Sequence, residues 1–231
     1  AFRLTVGGRY NRVAIESSPD DFGRITRDTD AFTGSAALGY NLTDHVAVVA
    51  SAAQGFRAPN LDDTVVLRAV PEQGSVDIPN PDIDPESVIN YEAGLKLHSE
   101  RVRGSLFYFY SDYDDLIDRV DVVLDGVPDA GDLVFTQRQN IGEAVIQGIE
   151  AAAAYTLWED VSARAHFSWT YGENKEEKDA LRRIPPAMGL AGLRYDPQDA
   201  PFWVEYYTRA ARKQARLSGG DIRDGRIPDG G

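Results

Sequence analysis

The sequence predicts an all-β fold, an antiparallel up-and-down transmembrane β-barrel segment, and three observations carry that prediction. Apolar and polar residues alternate with a period of two, helical spacing is nowhere sustained, and short turns alternate with long connections. A period of two sends successive side chains to opposite faces of a strand. Phe2, Leu4, Val6, Gly8 and Tyr10 share one face, with Arg3, Thr5, Gly7, Arg9 and Asn11 on the other. Phe32, Gly34, Ala36, Leu38 and Tyr40 repeat the pattern against Thr33, Ser35, Gly39 and Asn41. Tyr91, Ala93, Leu95 and Leu97 oppose Asn90, Glu92, Lys96 and His98. The clearest run sets Ala163, Ala165, Phe167, Trp169 and Tyr171 against Arg164, His166, Ser168 and Thr170.

About nine strands are expected, near 2–14, 31–41, 46–56, 88–98, 102–119, 139–156, 161–173, 187–196 and 202–213. The short polar turns are 41–45, 99–101, 158–160 and 196–201. The long connections are 15–30, 57–87, 120–138, 174–186 and 214 onward. A soluble sandwich has no reason for this parity, whereas an outer-membrane barrel has short periplasmic turns and long outside loops. In lipid every backbone polar group needs an internal partner, so such a sheet closes on itself. One side chain in two then meets lipid while its neighbours meet a wet lumen. That accounts for Arg, Glu, Lys, His and Asn at mid-strand. Tyr155 and Trp158 flank one short turn, and Trp169 and Tyr171 lie toward the other end of the next strand, as two interfacial girdles would.

Composition removes several function classes. The net charge of −13 argues against a nucleic-acid partner, which needs a basic face. With no cysteine, disulfide frameworks, thiol catalysis and cysteine zinc clusters are excluded. His45, His98 and His166 are too scattered for a metal site, and no cofactor is expected. There is no nucleophile elbow, phosphate loop, dinucleotide fingerprint or paired-histidine zinc motif. The acidic pairs Asp62-Asp63, Asp114-Asp115 and Glu176-Glu177 read as solvated loop charge. Because Ala1-Phe2-Arg3-Leu4 already reads as strand, the chain is expected to be a processed product or a fragment.

At Gly55-Phe56-Arg57-Ala58-Pro59-Asn60-Leu61-Asp62-Asp63 a strand runs into a loop, and Asn80-Pro81-Asp82-Ile83-Asp84-Pro85-Glu86 follows. Next come Asn90-Tyr91-Glu92-Ala93-Gly94-Leu95-Lys96, Ser105 to Tyr110, Asp114-Asp115-Leu116-Ile117, Gln139-Asn140-Ile141-Gly142 and Gln147-Gly148-Ile149-Glu150. In order and spacing these resemble the TonB-dependent outer-membrane receptors, over roughly 31 to 213. The resemblance implies nine strands of a 22-stranded barrel, in a single partial domain over 1–231. An N-terminal plug, its TonB-contacting box and the last C-terminal strands would lie outside it. It further implies an active transporter of the bacterial outer membrane, not an enzyme. The implied ligand is scarce, a siderophore, metal chelate, cobalamin or oligosaccharide, and the partners are the TonB complex and outer-membrane lipid and lipopolysaccharide. Haem-type members carry a His between the two boxes, and residues 60–79 contain none. The alternatives are a passive porin or adhesin barrel, or a soluble β-rich enzyme acting on glycans.

Residues follow from these motifs. Phe56, Pro59, Asn80, Pro81, Pro85 and Glu86 are expected to anchor the loop, since Pro removes ladder donors and fixes φ. Arg57 is expected to pair with a loop acid such as Asp62 or Glu86. Arg57, Asn60, Asp62, Asp63, Arg182 and Arg183 are the candidates for ligand contact in the loops. Arg209, Arg212, Lys213 and Arg216, with Arg182 and Arg183, suit lipopolysaccharide phosphates, an anionic ligand, or salt bridges to acidic loops.

Overall fold

Each alternating run pairs with the next one along the chain, so the wall grows by antiparallel meander. The computed structural model describes residues 1–17, 25–65, 67–70, 74–124 and 134–223. The wall strands are β1 (Phe2–Ser17), β2 (Ile25–Asn41), β3 (Val46–Arg57), β6 (Glu86–His98) and β7 (Val102–Asp114). It continues through β10 (Ala144–Trp158), β11 (Val161–Asn174), β12 (Met188–Tyr195) and β13 (Val204–Ala211). Their order in the sheet is β1-β2-β3-β6-β7-β10-β11-β12-β13, and the edges β1 and β13 are not joined.

The register carries one face across all nine strands. Leu4 faces Leu38, Leu38 faces Ala50, and Ala50 faces Ala93. The row continues from Ala93 to Tyr108, from Tyr108 to Ile149, and from Ile149 to Trp169. These side chains have no second layer over them among the described residues: Val6, Phe32 and Tyr206 are each 72% exposed. The buried apolar residues, Ile83, Ile117, Ala144, Val145, Ala180 and Leu181, gather instead at the long-connection end. An apolar face of this extent without a protein partner matches the lipid face expected of a transmembrane barrel.

Aromatic residues bound that face at two levels. Phe2, Tyr40, Tyr155 and Tyr195 lie near the short turns, and Tyr10, Phe32, Tyr91, Tyr110 and Trp169 near the long connections. Phe2 to Tyr10 is about 26 Å along the strand, or about 19 Å of membrane depth at a 45° tilt. The opposite face carries Arg3, Arg9, Asn90, Glu92, Lys96, Glu150, His166 and Arg209 toward the lumen. Two lumenal glycines admit phenylalanine rings lying flat on the wall. A Cβ on Gly94 would stand 2.3 Å from the Phe107 ring, and one on Gly148 2.6 Å from that of Phe109.

The structure corrects the expected elements at the long-connection end. Segments 102–119 and 139–156 were each expected to form one strand, and both break. Their outer ends belong to β8 (Ile117–Val122) and β9 (Val134–Asn140), and most of β9 lies in the connection expected over 120–138. These join β4 (Arg68–Val70) and β5 (Ser75–Ile78), which lie within a stretch expected to be loop. The second sheet has the order β4-β5-β9-β8, and its β5–β9 pair is parallel. The breaks coincide because Asp115 and Gly142 take positive φ, 55° and 75°, opposite one another. Leu116 N donates to Gly142 O at 3.1 Å and Ile141 N to Leu116 O at 2.8 Å, which closes the bend. Among the described residues, helix is confined to two single turns, α1 (Leu61–Thr64) and α2 (Gly219–Arg223). Most of the expected connection 15–30 is strand on either side of residues 18–24, which lie outside the described residues, as do 125–133.

Candidate functional site

Where β3 leaves the wall, Arg57 is the centre of a charged cluster. Its Nε donates to Glu86 Oε1 at 2.8 Å and its Nη2 to Glu86 Oε2 at 3.1 Å, a two-pronged pair across adjacent strands. Its Nη1 donates to Asp63 Oδ2 at 2.8 Å. The acid beside Glu86 is therefore Asp63, not Asp62 as one of the expected alternatives had it. The reason is local: Asn60 caps α1. Asn60 Oδ1 accepts from Asp63 N at 3.0 Å, and Asp63 Oδ2 accepts from Asn60 N at 3.0 Å. This capping box turns Asp63 back toward Arg57 and leaves it 5% exposed. Asp62 points outward and pairs with Arg68 at 3.1 Å.

Glu86 also reaches the second sheet, accepting from Ile117 N at 3.0 Å. Asn80 Nδ2 donates to Arg138 O at 2.8 Å, while Asn80 Oδ1 accepts from Asp82 N at 3.1 Å and closes the turn at Pro81. Pro59 is buried, and Phe56 and Pro85 are half-buried. Two residues that the sequence reading passed over complete the fastening. Arg27 of β2 donates to the carbonyls of Ile83, at 2.8 Å, and Pro81. Asn140 accepts from Asp84 N at 2.9 Å and donates to Asp84 O and Asp115 O. Arg27 falls within a stretch expected to be loop, and Asn140 lies in the motif Gln139-Asn140-Ile141-Gly142, whose spacing names no partner for it.

The second sheet is held by charge as well. Asp77 accepts from Arg68 at 3.0 Å, from Arg119, and from Thr136 Oγ1 at 2.6 Å. Asp118 lies nearby. Burial pushes its pKa up, against the Arg119 backbone N–H and the charges of Arg182 and Arg138, which pull it down. The folded second sheet thus holds that proton more tightly than the unfolded chain does. The stabilisation is complete below the ordinary aspartate range and fades as pH rises through the raised value. Asp118→Asn is expected to remove this fading. Amide protection of β8 and β9 in the variant should change less as the pH is raised from the ordinary aspartate range to neutrality than in the native protein, and an equal change in both would refute the assignment.

Two cavities open beside these groups. One, of about 890 Å³, faces the lumen and is lined by Arg9, Asn11, Thr33, Arg57, Asn60 and Asp62. The other, of about 700 Å³, lies among the outer loops, with Asp118, Arg119, Gln139, Asn174, Arg182 and Gly220 in its walls. Arg182 packs on Gly220, and its Nε is buried without a hydrogen bond. Arg183 N donates to both carboxylate oxygens of Asp221, at 3.2 and 3.1 Å, which ties loop 174–187 to the segment carrying α2. The six expected contact residues thus divide: Arg57, Asn60, Asp62 and Asp63 surround the foot of the loop after β3, and Arg182 and Arg183 stand apart in the loop after β11. Among the described residues no three His, Asp or Glu side chains converge as a metal site.

An uncovered apolar face, a polar inner face, interfacial aromatics and strand-braced outer loops define a segment of an outer-membrane β-barrel. The chain belongs to the TonB dependent receptor-like β-barrel family, whose profile matches residues 1–227. It is 28% identical over 208 residues to the iron-regulated outer membrane virulence protein of Vibrio cholerae, covering 86% of this chain and 30% of the relative. It is 33% identical over 144 residues to the vitamin B12 transporter BtuB of Photobacterium profundum, covering 59% of this chain and 22% of that protein. The fold matches that of the copper transporter OprC with a TM-score of 0.77 at 20% identity, over 94% of this chain and 33% of that one. A ferric enterobactin receptor from Pseudomonas aeruginosa gives 0.65 at 20% identity, over 95% and 35%. The chain spans about a third or less of these proteins. Its place is the bacterial outer membrane, and its family is one of transporters rather than enzymes.

Proposed function

We propose that the intact protein is an active transporter that binds a scarce ligand at its outer loops and imports it with energy delivered through TonB. The observation that carries this reading is the pairing of an uncovered lipid face with a charged inner face, in a chain of this family. Further strands close the wall, and a plug carried elsewhere in the protein fills the bore. The relatives' names support a siderophore, metal chelate or cobalamin as ligand, and an oligosaccharide fits the same polar loops. Asp62 and Arg182 are assigned to ligand contact, because each lines a cavity and neither belongs to the cluster of Arg57, Asp63 and Glu86, although Asp62 also pairs with Arg68. Asn60, Asp63, Arg57 and Glu86, whose side chains are engaged with one another, are assigned to fastening the loop, together with Phe56, Pro59, Asn80, Pro81 and Pro85. Arg183, held through its backbone by Asp221, positions the loop of Arg182.

The test is uptake by the full-length protein in paired hosts with and without TonB. Ferric siderophores, cobalamin and oligosaccharides, each labelled, serve as probes. Accumulation of one probe class only in the TonB-bearing host is expected. Equal accumulation in both hosts would make the barrel a passive pore and end the proposal.

A further inference from the structure

We infer that the outer half of β2 is an acceptor edge for a basic peptide in extended conformation, which adds to the wall as a strand between β2 and β3. The inference is independent of which ligand the protein imports. β1 pairs with β2 along its whole length, from Phe2 with Tyr40 to Ser17 with Ile25. β3 pairs with β2 over a shorter stretch, and their outermost partners are Ser35 and Ala53. Beyond these, β2 runs on through 25–34 and β3 through 54–57 without pairing to each other. One bond crosses the gap: Gly34 N donates to Gln54 Oε1 at 3.2 Å, a side chain standing where a backbone acceptor would be. β3 stays in the wall, since it pairs with β6 as far as Arg57 and Glu86. The strands therefore part, and a window opens on the edge of β2.

The register fixes which backbone groups face that window. Asn41 N donates to Ala1 O at 3.0 Å, and Leu42 N donates to Val46 O at 2.8 Å. Bonded pairs alternate along antiparallel strands, so odd-numbered residues of β2 bond to β1 and even-numbered ones face β3. The N–H and C=O groups of Thr26, Asp28, Asp30 and Phe32 therefore point into the window. Among the described residues none of these backbone groups has a hydrogen bond. From Phe32 to Thr26 is about 20 Å along the strand. Phe32 belongs to the upper aromatic band, so this edge lies at and above the membrane surface. Water satisfies it there until a strand takes its place. It carries no Pro, Lys or bulge, the devices that close an edge to other chains.

Charge and space choose the occupant. The side chains of Thr26, Asp28, Asp30 and Phe32 are exposed on the outward face. Arg12 offsets Asp28, its Nε donating to Asp28 Oδ1 at 3.0 Å. Asp30 has no hydrogen bond or ion pair among the described residues. Arg27 is turned to the other face and held by the carbonyls of Pro81 and Ile83. The outward face is thus left with a surplus carboxylate, which favours Lys or Arg directly across from it. On the lumenal side the window opens into the cavity of about 890 Å³. Val13, Ile15 and Thr33 line it on one side, and Gln54, Gly55 and Phe56 on the other. These last three belong to both faces of β3, so the cavity reaches between the strands. An added strand would set alternate side chains outward beside Asp30 and inward into this space.

The experiment uses the full-length protein in nanodiscs, a capped hexapeptide of alternating Lys and Val as the probe, and hydrogen exchange resolved to single residues. At a peptide concentration ten times its Kd, the amides of Thr26, Asp28, Asp30 and Phe32 are expected to exchange about tenfold more slowly. The odd-numbered amides between them, already bonded to β1, should not change. The same peptide with its amides N-methylated should give no protection, a comparison that does not depend on any variant folding. Glu in place of Lys should weaken binding about fivefold, and Asp30→Lys should reverse that preference. Lack of protection at about 1 mM peptide, equal protection by the methylated peptide, or a preference unchanged in Asp30→Lys would overturn the proposal. So would even-numbered amides already protected before peptide is added, since a segment of the intact protein would then fill the window.

Discussion

Arg57→Ala is expected to loosen the loop between β3 and β6 by about 3 kcal/mol while leaving the wall assembled. The substitution removes one cation and strands two carboxylates. Asp63 is 5% exposed and Glu86 13%, so water compensates neither fully. Breaking a buried pair by removing one partner leaves an uncompensated charge, which costs more than the pair itself contributes. The guanidinium is 40% exposed, which places the effect at the low end of that range. Loss of Asp63's partner also weakens the capping box on α1, and a repelled Glu86 gives up Ile117 N. Hydrogen exchange across 58–86 and 117–122 in the assembled full-length protein measures this directly. Arg57→Lys, which keeps the charge but not the fork, should fall between. Unchanged exchange in the alanine variant would show that the cluster does not brace the loop.

A second large effect separates neighbouring residues. Ala151 and Ala152 are adjacent at the middle of β10, with Ala151 in the lipid row of Leu106 and Phe167 and Ala152 in the lumenal row of Ser105 and His166. Ala151→Arg is expected to cost about 2–4 kcal/mol in folding into vesicles, as arginine does at the midplane of a lipid face. Ala152→Arg places the same charge in a polar bore beside Glu150 and should cost much less. Urea titrations of the full-length protein refolded into vesicles compare the two. A greater loss for Ala152→Arg would mean that the faces are reversed.

Much of this was legible along the chain. The wall, its two faces and the side bearing long connections follow from local periodicity, because a strand between lipid and water repeats one demand every second residue. The span from Ala163 to Tyr171 reads correctly for that reason, and so do the turns. The capping of α1 was legible too, in the spacing of Asn60 and Asp63, and would have chosen Asp63 over Asp62 as the second partner of Arg57.

The outer sheet was not. The parallel β5–β9 pair joins residues 59 positions apart, Ser75 with Val134, inside stretches that carry no sustained alternation. The same holds for Arg27 on Pro81 and Ile83 and for Asp221 on Arg183: each joins segments whose separation no local pattern encodes. The sequence by itself determined a membrane wall, since hydrocarbon imposes its requirement residue by residue. Only the tertiary structure decided which loop groups meet, because outside the lipid water satisfies an unpaired polar group, and the choice among partners falls to packing and charge over the whole outer surface.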